Sequence, residues 1–461
     1  MKAGEFINHG EIMDTLSWVD ENKGNNSLID ELMCKAAKKK GLNHREASLL
    51  LEAGDRDKIF ALARRIKAEF YGNRIVLFAP LYLSNYCING CIYCPYNCKN
   101  KNMARRKLTQ EEIRREVLAL QDMGHKRLVL ESGEHPVHNP IEYMLESIET
   151  AYGTKHRNGE IRRVNINIAA TTVDQYKMLK DAEIGTYILF QETYNKERYE
   201  RLHPSGPKSD YEWHTEAMDR AMQGGIDDVG LGVLFGLGGY RYEFAALLMH
   251  AEHLEAAYGV GPHTISVPRI RAAEGVDPSD FKDGIDDDTF AKIVACIRIS
   301  APYTGIIVST RENQECRKKA LEVGVSQISG GSRTSVGGYG EQQQENTKQF
   351  EISDNRMLGQ VVQWLMENGH IPSFCTACYR EGRTGDRFME LCKSGQIQNC
   401  CHPNALMTLQ EYLMDYADST ARSIGEKLIA EEKSNIPNEK TRVLVAEHLD
   451  KIKLGSRDFR I

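Results

Sequence analysis

The first strand signal in the chain is RIVLFAPLY, residues 74–82. Short apolar runs of this kind recur before residue 330, and longer amphipathic stretches separate them. Strands that alternate with helices must pair in parallel, because each parallel crossover needs about a dozen residues. The eight runs cover residues 74–82, 127–130, 164–168, 186–190, 228–234, 263–267, 305–309 and 325–329. Eight such units predict an α/β fold, a (β/α)₈ TIM-type barrel, although the periodicity leaves a doubly wound open sheet as an alternative.

Helix signals lie on both sides of this region. Charges spaced between apolar residues predict helices from residue 11 to about residue 70. Within the barrel, Thr109 is expected to cap the start of a helix, and residues 242–258 predict another. The Gly-, Gln- and Glu-rich stretch at 330–349 is predicted to be a loop. The expected parts are N-terminal helices at 1–70, the barrel at 71–340 and a helical, cluster-binding C-terminal domain at 341–461.

The composition excludes several classes of function. The 461 residues carry a net charge of −6, with 41% hydrophobic and 27% charged residues, as is typical of a folded soluble protein. Because both signs are mixed along the chain, we expect no binding to nucleic acid or to an anionic membrane surface. No apolar run reaches the ~18 residues of a membrane span, and the first residues contain no apolar signal core. We expect a cytoplasmic protein.

The twelve cysteines are concentrated in two short segments. Four lie between residues 87 and 98, five lie between residues 375 and 401, and the other three are scattered. Structural disulfides are rare in reducing compartments and typical of small secreted domains. Thiols grouped in this way in a large chain therefore predict metal or iron–sulfur ligands.

The first group follows the first predicted strand. Cys87, Cys91 and Cys94 are separated by three and two residues. Three thiolates hold three irons of a [4Fe–4S] cluster and leave the fourth iron open to another ligand. A zinc site is the alternative, because zinc usually takes four Cys or His ligands and Cys98 could supply the fourth.

This segment resembles the radical S-adenosylmethionine (SAM) enzymes. The resemblance rests on the spacing of the three cysteines, on the aromatic Tyr93 before the third cysteine, and on the position after the first barrel strand. It implies that SAM binds the open iron and is cleaved to a 5′-deoxyadenosyl radical. It further implies cofactor contacts from Tyr93 and from the turn after the second strand, at Ser132, Gly133 and Glu134. The basic triplet at 105–107 is expected to be a solvated surface.

Further segments resemble the tyrosine lyases of this family. They are CPY at 94–96, FQETY at 190–194, GPHTIS at 261–266 and STRE at 309–312. The resemblance implies that L-tyrosine is the substrate and that Glu192, Tyr194 and Arg311 contact SAM or the substrate. Arg311 follows the seventh strand, at the end where barrel active sites lie, and a guanidinium can bind a carboxylate through two parallel hydrogen bonds. A surface salt bridge is the alternative role for Arg311.

The second cysteine group separates two branches of the tyrosine lyases. The motif CTACYREGRTG at 375–385, followed by Cys401, resembles the auxiliary-cluster motif of the [FeFe]-hydrogenase maturases. The thiazole-synthesis branch has no such triad. The resemblance implies a second [4Fe–4S] cluster on Cys375, Cys378 and Cys401, although the adjacent Cys400 leaves the third ligand ambiguous. It also implies an additional iron, held by His263 together with free L-cysteine; alone, His263 would be a core residue.

The expected function is SAM-dependent cleavage of the Cα–Cβ bond of L-tyrosine to p-cresol and dehydroglycine. The fragment is then expected to form carbon monoxide and cyanide on the additional iron, for the hydrogenase active site. Other hydrogenase maturases and an electron donor are the expected partners. The alternatives are a thiazole-branch tyrosine lyase, in which the C-terminal thiols are structural or bind zinc, and a non-catalytic iron–sulfur scaffold.

Overall fold

The structure, a computed structural model, describes residues 1–340 and 345–461. The strands in these residues are β1 (Arg74–Ser84), β2 (Arg127–Ser132), β3 (Lys155–His156), β4 (Gly159–Glu160), β5 (Arg163–Asn167), β6 (Tyr187–Ile188), β7 (Val229–Gly232), β8 (Thr264–Ser266), β9 (Gly305–Val308), β10 (Gln327–Ser329) and β11 (Ile371–Ser373).

The helices fall into three groups along the chain. Before the barrel lie α1 (Ala3–Phe6), α2 (His9–Asn22), α3 (Asn26–Ala36), α4 (His44–Glu52) and α5 (Arg56–Tyr71). Between barrel strands lie α6 (Gln110–Asp122), α7 (Ile141–Gly153), α8 (Val173–Asp181), α9 (Lys196–Leu202), α10 (Tyr211–Thr215), α11 (Ala217–Gln223), α12 (Tyr240–Tyr258), α13 (Asp287–Ser300) and α14 (Gln314–Val323). After it lie α15 (Leu358–Glu367), α16 (Ala377–Arg380), α17 (Gly385–Lys393), α18 (Ile397–Asp415), α19 (Ser419–Lys433) and α20 (Glu439–Lys453).

Eight parallel strands close into a barrel. The order is β1, β2, β5, β6, β7, β8, β9, β10, and β10 pairs with β1 through Val76 and Gln327. This closure excludes the open sheet and confirms the predicted (β/α)₈ barrel. Each of the eight apolar runs in the sequence coincides with one of these strands, because a strand buried on both faces is apolar along its length.

Two short pairings were not predicted. β3 and β4 form an antiparallel hairpin in which His156 lies opposite Gly159. β11 pairs in parallel with the start of β1, where Arg74 lies opposite Ile371. Segments of two or three residues carry no detectable period, so neither could be predicted from alternation. The second pairing joins the C-terminal helices to the amino end of the barrel.

Alternate residues of β1 face two different layers. Leu77 and Leu81 belong to the main core between the strands and the surrounding helices. Phe78 instead points inward, where it packs with Val129, Ile188 and Ile307. We call the set Phe78, Val129, Ile188, Phe190 and Ile307 the apolar floor, since it forms one cluster inside the barrel. All five residues also line the cavity inside the barrel.

The helical predictions also agree with the structure. α1–α5 precede the barrel, and α15–α20 make up most of the chain after it. Residues 330–340 contain no helix or strand, as predicted, but residues 341–344 of the expected loop lie outside the described residues. Among the described helices, none is long and apolar enough to cross a membrane.

Helix α6 begins where the sequence predicts. The Thr109 hydroxyl accepts a hydrogen bond from the Glu112 backbone N–H at 3.2 Å. The Glu112 carboxylate accepts one from the Thr109 backbone N–H at 2.6 Å. This reciprocal pair satisfies two backbone N–H groups that the helix itself cannot bond.

We predict that Thr109→Ala lowers the free energy of unfolding by about 1 kcal/mol, because alanine has no oxygen to accept from the Glu112 N–H. Urea denaturation followed by circular dichroism measures the difference. Thr109→Ser keeps the hydroxyl and is expected to retain most of the stability. Equal stability of the alanine variant and the wild type would contradict the assigned cap.

Candidate functional site

A cavity opens at the carboxyl ends of the barrel strands. It encloses about 1630 Å³ of empty space, counting its opening to solvent. The apolar floor forms its base, and the loop after β1 brings Cys87, Cys91 and Cys94 to its wall. We call these three residues the first cysteine site. The charged residues of the wall are Glu131, Glu134, Glu192, Lys208, Arg271 and Arg311.

Backbone contacts fix the loop that carries the first cysteine site. The Gly90 N–H donates to the Ser205 carbonyl at 2.9 Å, and the Ile92 N–H donates to the Leu202 carbonyl at 3.0 Å. The Arg105 guanidinium donates to four carbonyls of the same region. Its acceptors are Asn85, Tyr96, Asn97 and Asn100, at 2.7, 2.9, 2.6 and 3.4 Å. Arg105 thus bonds the loop, whereas the sequence suggested only a solvated basic triplet.

The thiols of the first cysteine site lie in a water-poor environment. Burial raises the pKa of the Cys91 thiol to about 12 and raises that of Cys87 as well. Thiols with raised pKa values keep their protons at neutral pH, and a metal must displace those protons on binding. Three convergent thiols that can become thiolates fit the three protein ligands of a site-differentiated [4Fe–4S] cluster.

The predicted turn after β2 packs directly on the cysteine loop. The Gly133 N–H donates to the Ser84 carbonyl at 3.0 Å, and the Ile88 N–H donates to the Glu134 carbonyl at 2.9 Å. A Cβ atom on Gly133 would lie 2.5 Å from the Tyr86 carbonyl oxygen, which is closer than van der Waals contact allows. Residue 133 is therefore restricted to glycine. Ser132 lies beside it in the cavity wall.

Glu134 and Asn89 connect the turn to a cysteine. The Asn89 amide donates to the Glu134 carboxylate at 2.6 Å and lies 3.7 Å from the Cys87 sulfur. Burial raises the pKa of Glu134, although the Asn89 hydrogen bond and the Lys208 charge oppose the shift. Tyr93 also lines the cavity, and its hydroxyl is 2.8 Å from His203 Nε2. The predicted cofactor residues therefore surround the first cysteine site.

Lys208 is a buried cation of the cavity that the sequence analysis did not predict. Lys208 Nζ lies 2.8 Å from a carboxylate oxygen of Glu192. Burial acts against its charge, but Glu192 and the cysteines outweigh this effect and raise the pKa of Lys208 above its usual range. Glu192 has a φ of 67°, a left-handed conformation that is uncommon outside glycine. Sequence reasoning missed Lys208 because a lone lysine in a polar segment resembles a solvated side chain.

Arg311 projects into the cavity. Its guanidinium carbon lies 3.5 Å from the centre of the Phe350 ring. Within the described residues, no acceptor bonds this guanidinium, and burial lowers its pKa. Burial also raises the pKa of the neighbouring Glu131 to about 7, against the effects of Tyr82 and Arg311. A desolvated guanidinium that faces empty space is suited to an anionic ligand.

Tyr194 does not join these residues. Its side chain is 1% exposed, and its hydroxyl lies 2.9 Å from His250 Nδ1 on α12. The Tyr194 backbone N–H donates to the Glu243 carboxylate at 2.7 Å. After Glu192, whose φ is positive, the Thr193 hydroxyl also bonds the Glu243 carboxylate, so Thr193 and Tyr194 both interact with α12. Tyr194 packs against α12 and is not part of the cavity wall, in contrast to the expectation from the sequence.

The second cysteine group lies at the opposite end of the barrel. Cys375 follows β11, Cys378 lies in α16, and Cys401 lies in α18. We call these three residues the second cysteine site. The Cys378 hydrogen bond lowers the pKa of Cys401 to about 6 despite its burial, and nearby arginines contribute to the shift. These arginines are Arg74, Arg383 and Arg127.

Cys400 is oriented differently from Cys401. Its side chain is hydrogen-bonded to Arg383, and it is only half-buried. Cys401, in contrast, interacts electrostatically with both Cys375 and Cys378. The geometry therefore groups Cys401, and not Cys400, with the other two thiols.

His263 lies at the same end as the second cysteine site, since it immediately precedes β8. Its Nε2 is 2.7 Å from the Tyr379 hydroxyl, and its Nδ1 is 3.4 Å from a carboxylate oxygen of Asp228. Several buried polar atoms near His263 have no hydrogen-bond partner. Among the described residues they include Arg127 Nε, Arg163 Nη2, Asp228 Oδ2, Thr264 Oγ1 and His263 Nδ1, whose approach to Asp228 lacks hydrogen-bond geometry. Such atoms need a partner, so the environment fits a polar or metal-containing group.

Comparisons with known proteins agree with this arrangement. Residues 81–250 match the Radical SAM superfamily, and residues 266–371 match the Biotin and Thiamin Synthesis associated domain. A crystal structure of HydG, a maturase of the [FeFe]-hydrogenase, is 52% identical, with a TM-score of 0.96 over 99% of this chain and 100% of that one. The chain belongs to the HydG family of radical SAM enzymes. As a member of that superfamily it uses a [4Fe–4S] cluster and SAM.

Two further relatives are similar over most of their length. HydG from Carboxydothermus hydrogenoformans is 38% identical, with a TM-score of 0.84 over 97% of this chain and 100% of that one. The 2-iminoacetate synthase of Escherichia coli (strain K12) is 28% identical over 322 residues, which are 69% of this chain and 82% of that protein. The HydG family thus accounts for the whole chain, including the segment that carries the second cysteine site.

We predict that Gly133→Ala weakens SAM binding at least about tenfold, because the added Cβ must displace the Tyr86 carbonyl and the turn that packs on it. Titration calorimetry of the anaerobic, cluster-loaded protein measures the affinity. Gly153→Ala, whose Cβ would meet no atom within 4 Å, is the matched control. Equal SAM affinities of the two variants would show that the close approach at Gly133 has no role in binding.

Proposed function

We propose that this chain cleaves the Cα–Cβ bond of L-tyrosine to p-cresol and dehydroglycine in the cavity, and that it converts the fragment to carbon monoxide and cyanide at the second cysteine site. The observation that carries this proposal is the presence of two three-cysteine sites at opposite ends of one barrel, in a chain of the HydG family. One cluster site is sufficient for the radical cleavage of tyrosine. A second metal site is needed when the dehydroglycine fragment is converted further.

The residues around the first cysteine site can hold the cofactors. Cys87, Cys91 and Cys94 would bind the [4Fe–4S] cluster, which together with SAM supplies a 5′-deoxyadenosyl radical. Ser132, Gly133 and Glu134 would hold the amino group of SAM, with Tyr93 packed beside them. The buried ammonium of Lys208, next to Glu192, is suited to the SAM carboxylate, because both charges are desolvated there.

The remaining walls of the cavity suit an aromatic amino acid. The unpaired guanidinium of Arg311 would bind the α-carboxylate of tyrosine, and the apolar floor would pack against the aromatic ring. Apolar walls also exclude water, which protects a carbon radical from side reactions. The curated name of the Escherichia coli relative, 2-iminoacetate synthase, supports the same fragment, since 2-iminoacetate is dehydroglycine.

The second cysteine site would hold a second [4Fe–4S] cluster. His263, with free L-cysteine, would bind an additional iron beside it; an imidazole is a suitable ligand for iron. Arg74, Arg127 and Arg383 would offset the negative charge of the thiolates. The proposed limits at residues 70 and 340 assign the first cysteine site to the barrel and the second to the C-terminal extension. Other hydrogenase maturases would receive the product, and an electron donor would reduce the clusters.

The thiazole-branch tyrosine lyase remains the second candidate. The similarity to 2-iminoacetate synthase favours it, because that name describes a product that needs no second metal site. The two candidates differ in one measurable respect. Only the proposed function requires carbon monoxide to depend on the second cysteine site.

We predict that Cys91→Ala abolishes tyrosine-dependent formation of 5′-deoxyadenosine, because two thiolates cannot hold the site-differentiated cluster. Chromatographic quantification of 5′-deoxyadenosine after addition of tyrosine, SAM and dithionite provides the measurement. Cys98→Ala is the matched control, since Cys98 is exposed in the same loop, and it should retain activity. If Cys91→Ala keeps wild-type turnover, the radical SAM role of this loop is wrong.

We predict that the double variant Cys375→Ala, Cys378→Ala retains p-cresol formation and loses carbon monoxide, because the cavity lies at the other end of the barrel. Cyanide is expected to persist in part, since the fragment can also decompose in solution. Cys400→Ala, which changes the thiol bonded to Arg383, should keep both products. Circular dichroism must first show that the double variant is folded. A folded double variant that makes carbon monoxide at the wild-type rate would favour the thiazole-type lyase.

A further inference from the structure

A buried charge network lies behind the Arg311 backbone. The Glu312 carboxylate is 1% exposed and pairs with both Arg269 and Arg271. Arg271 Nε also donates to the Arg311 carbonyl at 2.9 Å. Arg271 lines the cavity together with Arg311. One buried carboxylate therefore fixes one cavity arginine directly and the backbone of the other through it.

The network does not need a metal ion. Asp287, Glu312 and Cys316 approach one another closely enough to ligate a cation. The Arg269 guanidinium, however, donates to all three: to Asp287 at 2.7 Å, to the Cys316 sulfur at 3.3 Å, and to Glu312. The Arg269 guanidinium therefore occupies the position that a cation would take. The Glu312 carboxylate pairs with Arg269 and Arg271 instead of a metal.

The two arginines bonded to Glu312 have different surroundings. The Arg269 side chain is 7% exposed and lies over the Phe290 ring, with its guanidinium carbon 4.6 Å from the ring centre. The Arg271 side chain is 30% exposed and lines the cavity. Its Nη1 has no acceptor among the described residues. Arg269 thus anchors the carboxylate in the core, while Arg271, a residue of the cavity wall, keeps a donor without an acceptor.

Two guanidinium groups that face one cavity repel each other. The buried Glu312 carboxylate offsets this repulsion and fixes the Arg271 side chain through a charge-assisted hydrogen bond, and Arg271 in turn bonds the Arg311 backbone carbonyl. Arg271 has one N–H donor without an acceptor, and the guanidinium of Arg311 is unbonded. One anion in the cavity could therefore accept hydrogen bonds from both residues. The α-carboxylate of an amino acid has two oxygens to accept them.

We propose that Glu312 is a positioning residue, which holds Arg271 and Arg311 together as a receptor for the α-carboxylate of the substrate. This inference rests on the proposed function and adds a basis for its specificity. A ligand without the carboxylate, such as tyramine, gains nothing from the two guanidinium groups. A ligand with the carboxylate and without the amine, such as 3-(4-hydroxyphenyl)propionate, uses both.

The test compares these ligands in the SAM-loaded holoenzyme. Glu312→Gln keeps the shape of the side chain and removes its charge. We expect the KM for tyrosine and the Kd for 3-(4-hydroxyphenyl)propionate to rise at least tenfold, and the Kd for tyramine and SAM to change less than twofold. The kcat for p-cresol should stay within about threefold. A purely structural role would weaken tyramine and SAM equally, which would overturn the inference.

Two further variants keep the test decisive. Asp287→Asn alters the outer end of the network, where the Asp287 side chain is 53% exposed and bonds Arg269, and it should behave as the wild type. Arg271→Gln should reproduce the ligand pattern of Glu312→Gln, even if the latter fails to fold. Unchanged tyrosine and propionate binding in a folded Arg271→Gln would overturn the inference. Because binding is measured apart from turnover, a wild type that forms no p-cresol would instead overturn the proposed function.

Discussion

The pairing of β1 is the constraint on which both sites depend. This strand has eleven residues, and it pairs with β11 through residues 74–76, with β10 through 76–78 and with β2 through 79–84. Its carboxyl end leads into the first cysteine site. Its amino end, through β11, supports the loop that begins the second. One strand therefore closes the barrel and fixes a group of cysteines at each of its ends, because the register of a parallel pair allows no independent movement.

The two ends offer thiols in contrasting electrostatic environments. Burial is the main influence at the first cysteine site and raises the pKa of Cys91 to about 12, although the Lys208 charge opposes the shift. At the second, arginines and the Cys378 hydrogen bond lower the pKa of Cys401 to about 6. The second site therefore favours the charged form of Cys401, whereas burial disfavours the charged form of Cys91. The two groups of thiols lie at opposite ends of β1, which supports their assignment to separate chemical steps.

The sequence predicted the barrel and most of the cysteine geometry for clear physical reasons. Strands buried on both faces are apolar along their length, and motifs such as Cys87–Cys94 and the turn at 131–134 are local. Residues that act through tertiary contacts were not predictable: Lys208 pairs with Glu192, and Arg105 bonds carbonyls that lie up to twenty positions away. Tyr194 was expected at the site, and the structure places it outside the cavity for a local reason. Phe190 and Glu192 line the cavity, but beyond the left-handed backbone at Glu192 the Tyr194 hydroxyl contacts His250 of α12.

The most direct test of this account is the location of iron in crystals of the holoenzyme, determined from anomalous diffraction at the iron absorption edge. The account predicts two separate iron sites, one beside Cys87, Cys91 and Cys94 and the other beside Cys375, Cys378 and Cys401. Their separation should not exceed the length of β1, which is about 35 Å for eleven residues at ~3.3 Å each. Iron at the carboxyl end of the barrel only, or zinc in place of iron beside Cys401, would contradict it.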